Sequence, residues 1–120
     1  MKMRQFVVHL RNRKGQLNEV SGQGGATVVF DPTSDCECIV GVALCHEKEN
    51  FWRARGVEIA SGRARKYQAK CHRPQSIQEY IAVARALLVQ PIMRAYGCDK
   101  ELAEYVAEQF ETANVIKNLV

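Results

Sequence analysis

The 120-residue chain has no long hydrophobic run and only three prolines. Its longest apolar stretch, 81–89, contains Arg85 and is much shorter than the roughly 18 residues that a membrane helix needs. Near the N-terminus, charged residues return soon after the first apolar positions, and no small-residue cleavage site follows, so we expect no secretory signal. These absences predict a cytoplasmic protein that does not associate with a membrane.

The five cysteines do not form a recognisable framework of disulfides. Their odd number and the lack of a secretion signal favour reduced thiols. On a strand, Cys36 and Cys38 would face the same way, but zinc needs four converging ligands and usually takes a C-x2-C spacing. The simpler interpretation is that Cys38 and Cys45 are small core residues. Metal binding stays an open question for Cys36, Cys38, Cys45, His46, Cys71 and His72.

No catalytic motif is visible in the sequence. A nucleophilic cysteine needs a base and an orienting partner, and no known signature flanks any cysteine here. The glycine-rich segment SGQGG, residues 21–25, precedes a predicted strand, whereas a phosphate-binding loop leads into a helix. A hairpin turn is therefore the better interpretation. We expect a protein that is not an enzyme and has no cofactor.

The order of apolar segments predicts one α+β domain over residues 1–120, with an N-terminal antiparallel sheet of three to four strands followed by three helices that cover one face of the sheet. Alternating or continuous apolar residues mark the strands. The last of them is almost wholly apolar, as in a central strand covered on both sides. The strand candidates are 3–10, 16–20, 26–30 and 36–44.

Three helices are predicted after the strands. The first should start around 48–50, and the two glycines within it, Gly56 and Gly62, require close packing or an early helix end near Ser61. The second begins with a capping box at 76–79 and should kink or break at Pro91. The third should span 100–117. The predicted core-facing residues of the first helix are Trp52, Gly56, Val57, Ile59, Ala60, Ala64 and Tyr67, and those of the third are Leu102, Tyr105, Val106, Ala113 and Ile116.

The charge of the chain is unevenly distributed. From Phe51 to Arg73, seven basic residues accompany one acidic residue, whereas residues 97–120 hold two basic and five acidic residues. A solvated helix face usually mixes both signs, so this one-signed, arginine-rich segment indicates a surface for phosphates or carboxylates, with two aromatic rings available for bases. The predicted binding residues are Trp52, Arg53, Arg55, Arg63, Arg65, Lys66, Tyr67 and Lys70.

The segment 41–65, GVALCHEKENFWRARGVEIASGRAR, resembles a pattern found in small proteins of bacteriophages and mobile elements. In that pattern a strand is followed by C-x-x-x-D-x-F-x-R-x-x-G-R-x-I-A-x-G-R. The chain departs from it at Glu49, where the pattern has aspartate, and at Val57, where it has arginine. The resemblance implies close packing at the glycines and a structural or ligand-facing Arg63. The matching residues are Cys45, Phe51, Arg53, Gly56, Ile59, Ala60, Gly62 and Arg63.

Together these features predict a small, non-enzymatic phage or mobile-element protein that binds nucleic acid or a host nucleoprotein complex through a basic helix. A second hypothesis is an anti-defence inhibitor, such as an anti-CRISPR protein, that contacts a host protein. Its acidic last helix would then imitate nucleic acid. A third is sequestration of a phosphorylated signal nucleotide at an arginine-lined interface, which would require a homo-oligomer. The acidic residues of the second hypothesis are Glu101, Glu104, Glu108 and Glu111.

Overall fold

The computed structural model describes residues 4–12 and 21–116. Within them the chain forms five strands and three helices. Among these helices, none combines the length and apolar character needed to cross a membrane. In chain order the elements are β1 (Phe6–Arg11), β2 (Gln23–Pro32), β3 (Glu37–Asn50), α1 (Arg53–Tyr67), β4 (Lys70–His72), α2 (Ile77–Tyr96), α3 (Lys100–Gln109) and β5 (Glu111–Ile116).

The five strands form one antiparallel sheet in the order β4-β3-β2-β1-β5. The α+β prediction with an N-terminal sheet is confirmed, because β1, β2 and β3 are the first elements and form its centre. Two further strands join the edges after the helices have begun. The predicted strand 16–20 lies outside the described residues.

Helices cover both faces of this sheet. One face carries the larger core, where Phe6, Val8 and Phe30 pack against α2 and α3. The opposite face, with Val7 and Val29, packs against α1. The expectation that all three helices cover one face is therefore wrong. The physical reason is that consecutive residues of β1 are all apolar or buried, so both sides of the strand need cover.

Glycine allows α1 to lie unusually close to the sheet. A Cβ atom on Gly41 of β3 would collide with the Ala60 carbonyl oxygen and lie 2.7 Å from the Ala64 nitrogen. A Cβ atom on Gly56 would collide with Thr27 of β2. The helix consequently buries the small residues Ala60, Ser61 and Ala64. Close packing, the first explanation for Gly56, is confirmed.

Gly62 does not have the role expected from the sequence. The helix runs through it to Tyr67 and ends at Gln68, whose φ is 55°. A Cβ atom at Gly62 would have no neighbour within 4 Å. The large residues at the helix ends also differ from prediction, since Trp52 and Tyr67 are 67% and 66% exposed. They lie beyond the part of α1 that touches the sheet.

The start of α2 follows the predicted capping box, and α3 begins with a side-chain cap of the same kind. The Ser76 side chain accepts a hydrogen bond from the Glu79 N–H at 3.1 Å, and the Asp99 carboxylate accepts one from the Leu102 N–H at 2.9 Å. Pro91, however, does not break α2, which continues to Tyr96. A proline removes one N–H donor from the helix, and the buried Ile92 keeps the last turns attached to the core.

The C-terminal part of the predicted third helix is a strand instead. Helix α3 ends at Gln109, and β5 pairs with the outer edge of β1. Pairing with that edge overrides a helical pattern. Helix α3 buries Ala103 and Ala107 rather than its large residues, so Leu102 and Tyr105 are 51% and 63% exposed. The predicted apolar side of this helix is therefore wrong at Leu102 and Tyr105, whereas Val106 packs against the core as predicted.

Candidate functional site

Helix α1 displays its basic residues to solvent. The side chains of Arg53, Arg55, Arg63, Arg65 and Lys66 are all exposed, as is Lys70 in β4. The exposed rings of Trp52 and Tyr67 stand at the two ends of the helix. Every binding residue predicted from the sequence is thus on the surface.

The spacing along the helix separates these residues into groups. At 100° per residue, Arg55 and Lys66 lie within about 20° of each other, and Arg65 lies about 80° from Arg55. Arg53 points about 160° away from Arg55, toward β1. There its charge contributes to the lowered pKa values of His9 and Arg11. The solvent-facing group is therefore Arg55, Arg65 and Lys66, which we call the basic face.

The basic face is not neutralised by carboxylates of the described residues. Among the described residues, ion pairs join Lys70 to Glu37 at 3.8 Å and Lys100 to Glu104 at 3.9 Å. Neither pair includes a residue of the basic face. The Lys66 ammonium lies 5.3 Å from the centre of the Tyr67 ring. Lys70 is thus partly neutralised, whereas the three residues of the basic face are available to an outside anion.

Arg63 has a structural contact rather than a free guanidinium group. Its Nη1 atom donates a hydrogen bond to the Val42 carbonyl oxygen at 2.7 Å. Strand β4 pairs with β3 only at residues 37–39, so among the described residues no strand lies along the outer edge of 41–50. Arg63 satisfies a carbonyl group on that edge. A cleft of about 960 Å³ lies here between β3, α1 and α2, with Arg63 and Tyr67 in its lining.

A second cleft, of about 610 Å³, lies beside the first two turns of α1. We call it the N-terminal cleft. Its apolar surface includes Ala43 and Leu44 from β3 and Ile59 from α1, and its aromatic surface is Phe51 and Trp52. The polar and charged lining consists of Gln23, Thr27, Cys45, Lys48, Glu49, Asn50 and Arg55. The cleft therefore combines aromatic rings, two cations and groups that can form hydrogen bonds.

The start of α1 adds positive potential beside this cleft. Its N-cap residue, Trp52, makes no side-chain hydrogen bond to the helix, and the first turn contains no acidic residue. Two arginines, Arg53 and Arg55, occupy that turn instead. Because the helix dipole is positive at the N-terminus, this arrangement is unfavourable without an anion and favourable with one.

Phe51 is held firmly in the wall of the cleft. Its N–H donates to the Gly22 carbonyl oxygen at 2.8 Å, and the Arg11 guanidinium lies 4.3 Å from the centre of its ring. The His9 ring meets it edge-on at 5.6 Å. Gly25, with a φ of 105°, lies under the ring, where a Cβ atom would be 3.1 Å from it. Contacts on several sides thus fix this aromatic surface.

His9 is the buried titratable group beneath the start of α1. It is fully buried, and its Nδ1 atom lies 2.9 Å from the Thr27 Oγ1 atom. Burial, which is the largest cause, and the nearby Arg53 and Arg11 charges together lower the pKa of His9 to about 4. Its Nε2 atom has no hydrogen-bond partner in the described part of the protein. At neutral pH this imidazole is uncharged and forms part of the support below α1.

The cysteine and histidine residues are not gathered into a metal site. Cys38 and Cys71 lie opposite each other on β3 and β4, whereas Cys45 lines the N-terminal cleft. Burial raises the pKa of Cys38 to about 11, as expected for a core thiol. Across residues 4–12 and 21–116, no group of three or more His, Cys, Asp or Glu residues could hold a metal ion.

The sequence indicated one half of the N-terminal cleft and missed the other. Trp52 and Arg55 were predicted binding residues, but Lys48, Gln23 and Asn50 were not. The missed residues lie on β2 and the distal part of β3, which the sequence pattern assigned to a turn and a helix start. Gln23 pairs with Asn50 across those strands, and this pairing creates the wall.

The acidic residues of the second hypothesis lie on two different elements rather than on one helix. Glu101, Glu104 and Glu108 are exposed on α3, whereas Glu111 belongs to β5 and is only half-exposed.

In comparisons with protein-family models, curated proteins and solved structures, the chain has no match in any of the three.

Proposed function

We propose that this is a non-catalytic phage or mobile-element protein that binds nucleic acid through the basic face of α1. The observation that carries the proposal is the exposure of Arg55, Arg65 and Lys66, none of which pairs with a carboxylate of the described residues. Guanidinium and ammonium groups displayed in this way bind phosphates and release counterions.

The dimensions of α1 suit a short stretch of nucleic acid. Its 15 residues extend over about 22 Å at 1.5 Å per residue, which corresponds to about six base pairs at 3.4 Å. Arg55 and Lys66 stand near opposite ends of that length. The two exposed rings, Trp52 and Tyr67, flank the same helix and offer stacking surfaces.

The phage or mobile-element setting rests on the resemblance of the segment 41–65. Two features of that pattern support the fold around the site, since Gly56 brings α1 onto Thr27 and Arg63 bonds the edge of β3. In such a setting the protein would act in the cytoplasm of the host cell, on nucleic acid or on a host nucleoprotein complex.

A salt titration with a matched pair of variants tests this function. Fluorescence anisotropy of a labelled 15-nucleotide strand and of its duplex is followed at 50 and 200 mM salt. With three phosphate contacts, duplex affinity should fall about 40-fold between these salt concentrations. The test variant is Arg55→Ala/Arg65→Ala/Lys66→Ala, and the control is Arg4→Ala/Arg94→Ala/Lys100→Ala. Each removes three positive charges from a formal net charge of +4.

The two triple variants should behave differently although their net charges are equal. We expect the basic-face variant to lose both its affinity and most of its salt dependence, and the control to retain both. Equal losses in the two variants would mean that net charge alone drives binding. No binding of either probe at 50 mM salt would end the proposal.

The exposed carboxylates of α3 favour a second candidate function, inhibition of a host protein by contact. Glu101, Glu104 and Glu108 lie on the solvent side of a helix on the face of the sheet opposite α1. A complex formed in this way would survive the basic-face triple variant and fail with Glu101→Lys/Glu104→Lys/Glu108→Lys. Co-purification from host lysate treated with nuclease separates the two functions, because only a protein contact persists after nuclease treatment.

A further inference from the structure

The N-terminal cleft has the chemistry of a nucleotide site. We propose that it takes one unpaired nucleotide, with the base against Trp52 and the phosphate on Arg55 and Lys48. This inference rests on the proposed function, because Arg55 belongs both to the cleft and to the basic face. It adds a preference for unpaired nucleic acid, which the basic face alone would not produce.

The size and lining of the cleft fit such a ligand. Its volume of about 610 Å³ lies within the range of roughly 300–1,000 Å³ that is typical of small-molecule sites. A planar base needs apolar and aromatic surface, which Trp52, Phe51 and Ile59 supply. The polar edge of a base needs donors and acceptors, and the side chains of Gln23 and Asn50 carry both.

The charges at the cleft favour an anion. Lys48 comes from β3 and Arg55 from α1, so a phosphate could be contacted from two walls. Neither side chain takes part in the ion pairs of the described residues. Glu49 is the one carboxylate in the lining. A carboxylate accepts hydrogen bonds from the amino or imino groups of a base, so it is compatible with a nucleotide whose phosphate lies at the cations.

The walls are held in place without a ligand. The Phe51 ring contacts the Arg11 guanidinium and the His9 ring, and α1 rests on Thr27 through Gly56. A site that is already ordered loses little entropy on binding. Trp52 differs from these residues, since two thirds of its side chain is exposed at the helix start. Its ring face is therefore available to a base that enters from solvent.

A base inside a duplex cannot use this cleft, because its two faces are stacked on neighbouring bases and its Watson–Crick edge is paired. Aromatic stacking in proteins is a feature of single-strand recognition and tolerates any base sequence. The cleft is therefore expected to distinguish unpaired from paired nucleic acid. The same chemistry would accept a free nucleotide, so a mononucleotide must be tested beside the strand.

Trp52 is the only tryptophan in the chain, which makes it a direct reporter of the cleft. Tryptophan fluorescence of the full-length protein is titrated with a 15-nucleotide single strand, with the duplex of the same sequence and with AMP. The strand should quench the fluorescence and bind at least tenfold more tightly than the duplex. The duplex should bind through the basic face with little quenching. Saturable quenching by AMP without binding of either the strand or the duplex would support the cleft as a free-nucleotide site, while the proposed function would fail.

Two variants of the cleft and two controls complete the test, with binding followed by anisotropy of labelled probes. Trp52→Ala should weaken strand binding about tenfold and leave duplex binding unchanged. Lys48→Ala should weaken strand binding more than duplex binding. Tyr105→Ala and Lys100→Ala remove an exposed ring and an exposed ammonium from α3, and both should leave the preference for the strand intact.

The outcomes separate this inference from the proposed function. If the strand and the duplex bind equally and Trp52→Ala changes neither, the cleft proposal is wrong and the basic face still stands. The cleft proposal is also wrong if Tyr105→Ala reduces the strand preference as much as Trp52→Ala does. If neither nucleic acid binds and AMP causes no quenching, both proposals fail.

Discussion

His9 and Thr27 lie opposite each other on β1 and β2, and the His9 Nδ1 atom is 2.9 Å from the Thr27 Oγ1 atom. Helix α1 rests on this pair, because Gly56 lies directly over Thr27. The support beneath the candidate site is therefore a buried, uncharged imidazole. Its protonation would place a charge under a helix start that already carries Arg53 and Arg55.

The stability of the protein should fall in acid through His9. Its pKa is about 4 in the folded protein and 6.5 in the unfolded chain, so above pH 6.5 both states hold a neutral imidazole. As the pH falls from 6.5 toward 4, the unfolded chain binds a proton that the folded protein does not bind. At 1.36 kcal/mol per pKa unit, the free energy of unfolding should fall by about 3 kcal/mol over that range.

Urea denaturation of the wild type and of His9→Gln, at several pH values between 4 and 8, measures this effect. Carboxylates also titrate in acid, so the quantity of interest is the difference between the two proteins. That difference should change below pH 6.5 and stay constant above it. Parallel pH profiles would show that His9 binds protons equally well in the folded protein and in the unfolded chain, so that burial does not lower its pKa.

Two glycines of α1 should respond in opposite directions to alanine. Gly62→Ala should stabilise the protein by about 0.5–1 kcal/mol, because a Cβ atom there meets nothing and alanine favours the helix. Gly56→Ala gains the same propensity, but its Cβ atom collides with Thr27. The net result should be a loss of about 1–3 kcal/mol. Chemical denaturation of the two single variants tests the signs.

A double-mutant cycle identifies the cause of the loss at Gly56. Thr27→Ala removes the Oγ1 atom with which the new Cβ would collide, so Gly56→Ala should cost less in that background. Gly62→Ala should give the same gain in either background, since it lies away from Thr27 in the helix. A loss at Gly56 that is unchanged by Thr27→Ala would show that crowding at this contact is not its origin.

Local patterns in the sequence predicted the parts of the fold that depend on neighbouring residues. The capping box at Ser76 and the apolar strands β1 to β3 depend on local chemistry, and both were found. The second edge strand, β5, depends on the free edge of β1, which no local pattern reveals. Similarly, Pro91 remains inside α2 because Ile92 is anchored in a core that only the folded protein contains.

In the candidate site, too, the sequence predicted the features that depend on local residues and missed those that depend on strand pairing. Exposed arginines on α1 followed from the charge asymmetry of one segment, whereas the N-terminal cleft needed the distal part of β3. That part, from His46 to Asn50, is polar, and the sequence predicts a helix start at 48–50 within it. Its pairing with β2, which includes Gln23 and Asn50, extends the strand and brings Lys48 into the lining with Arg55. A strand made of polar residues, which forms because it pairs with a neighbouring strand, lacks the alternation of apolar residues from which strands are predicted.

Arg55 and Arg63 should have different roles although both are exposed arginines of α1. Arg63→Ala removes the hydrogen bond to the Val42 carbonyl oxygen, and the free energy of unfolding should fall by about 1 kcal/mol. Arg55→Ala removes no hydrogen bond among those described, so stability should change by less than about 0.5 kcal/mol. Its effect should appear in binding. The affinity should be about fivefold lower at 50 mM salt, and the slope of log affinity against log salt concentration should be smaller by about one.

Denaturation and anisotropy measurements on the same two variants compare these effects directly. Arg63→Lys is the useful third variant, because it keeps the charge and loses the planar guanidinium group that reaches the Val42 carbonyl oxygen. We expect it to resemble Arg63→Ala in stability and the wild type in affinity. If Arg63→Ala weakens binding more than Arg55→Ala does, the ligand lies along the edge of β3 rather than on the basic face. The larger cleft between α1 and α2 would then be its site.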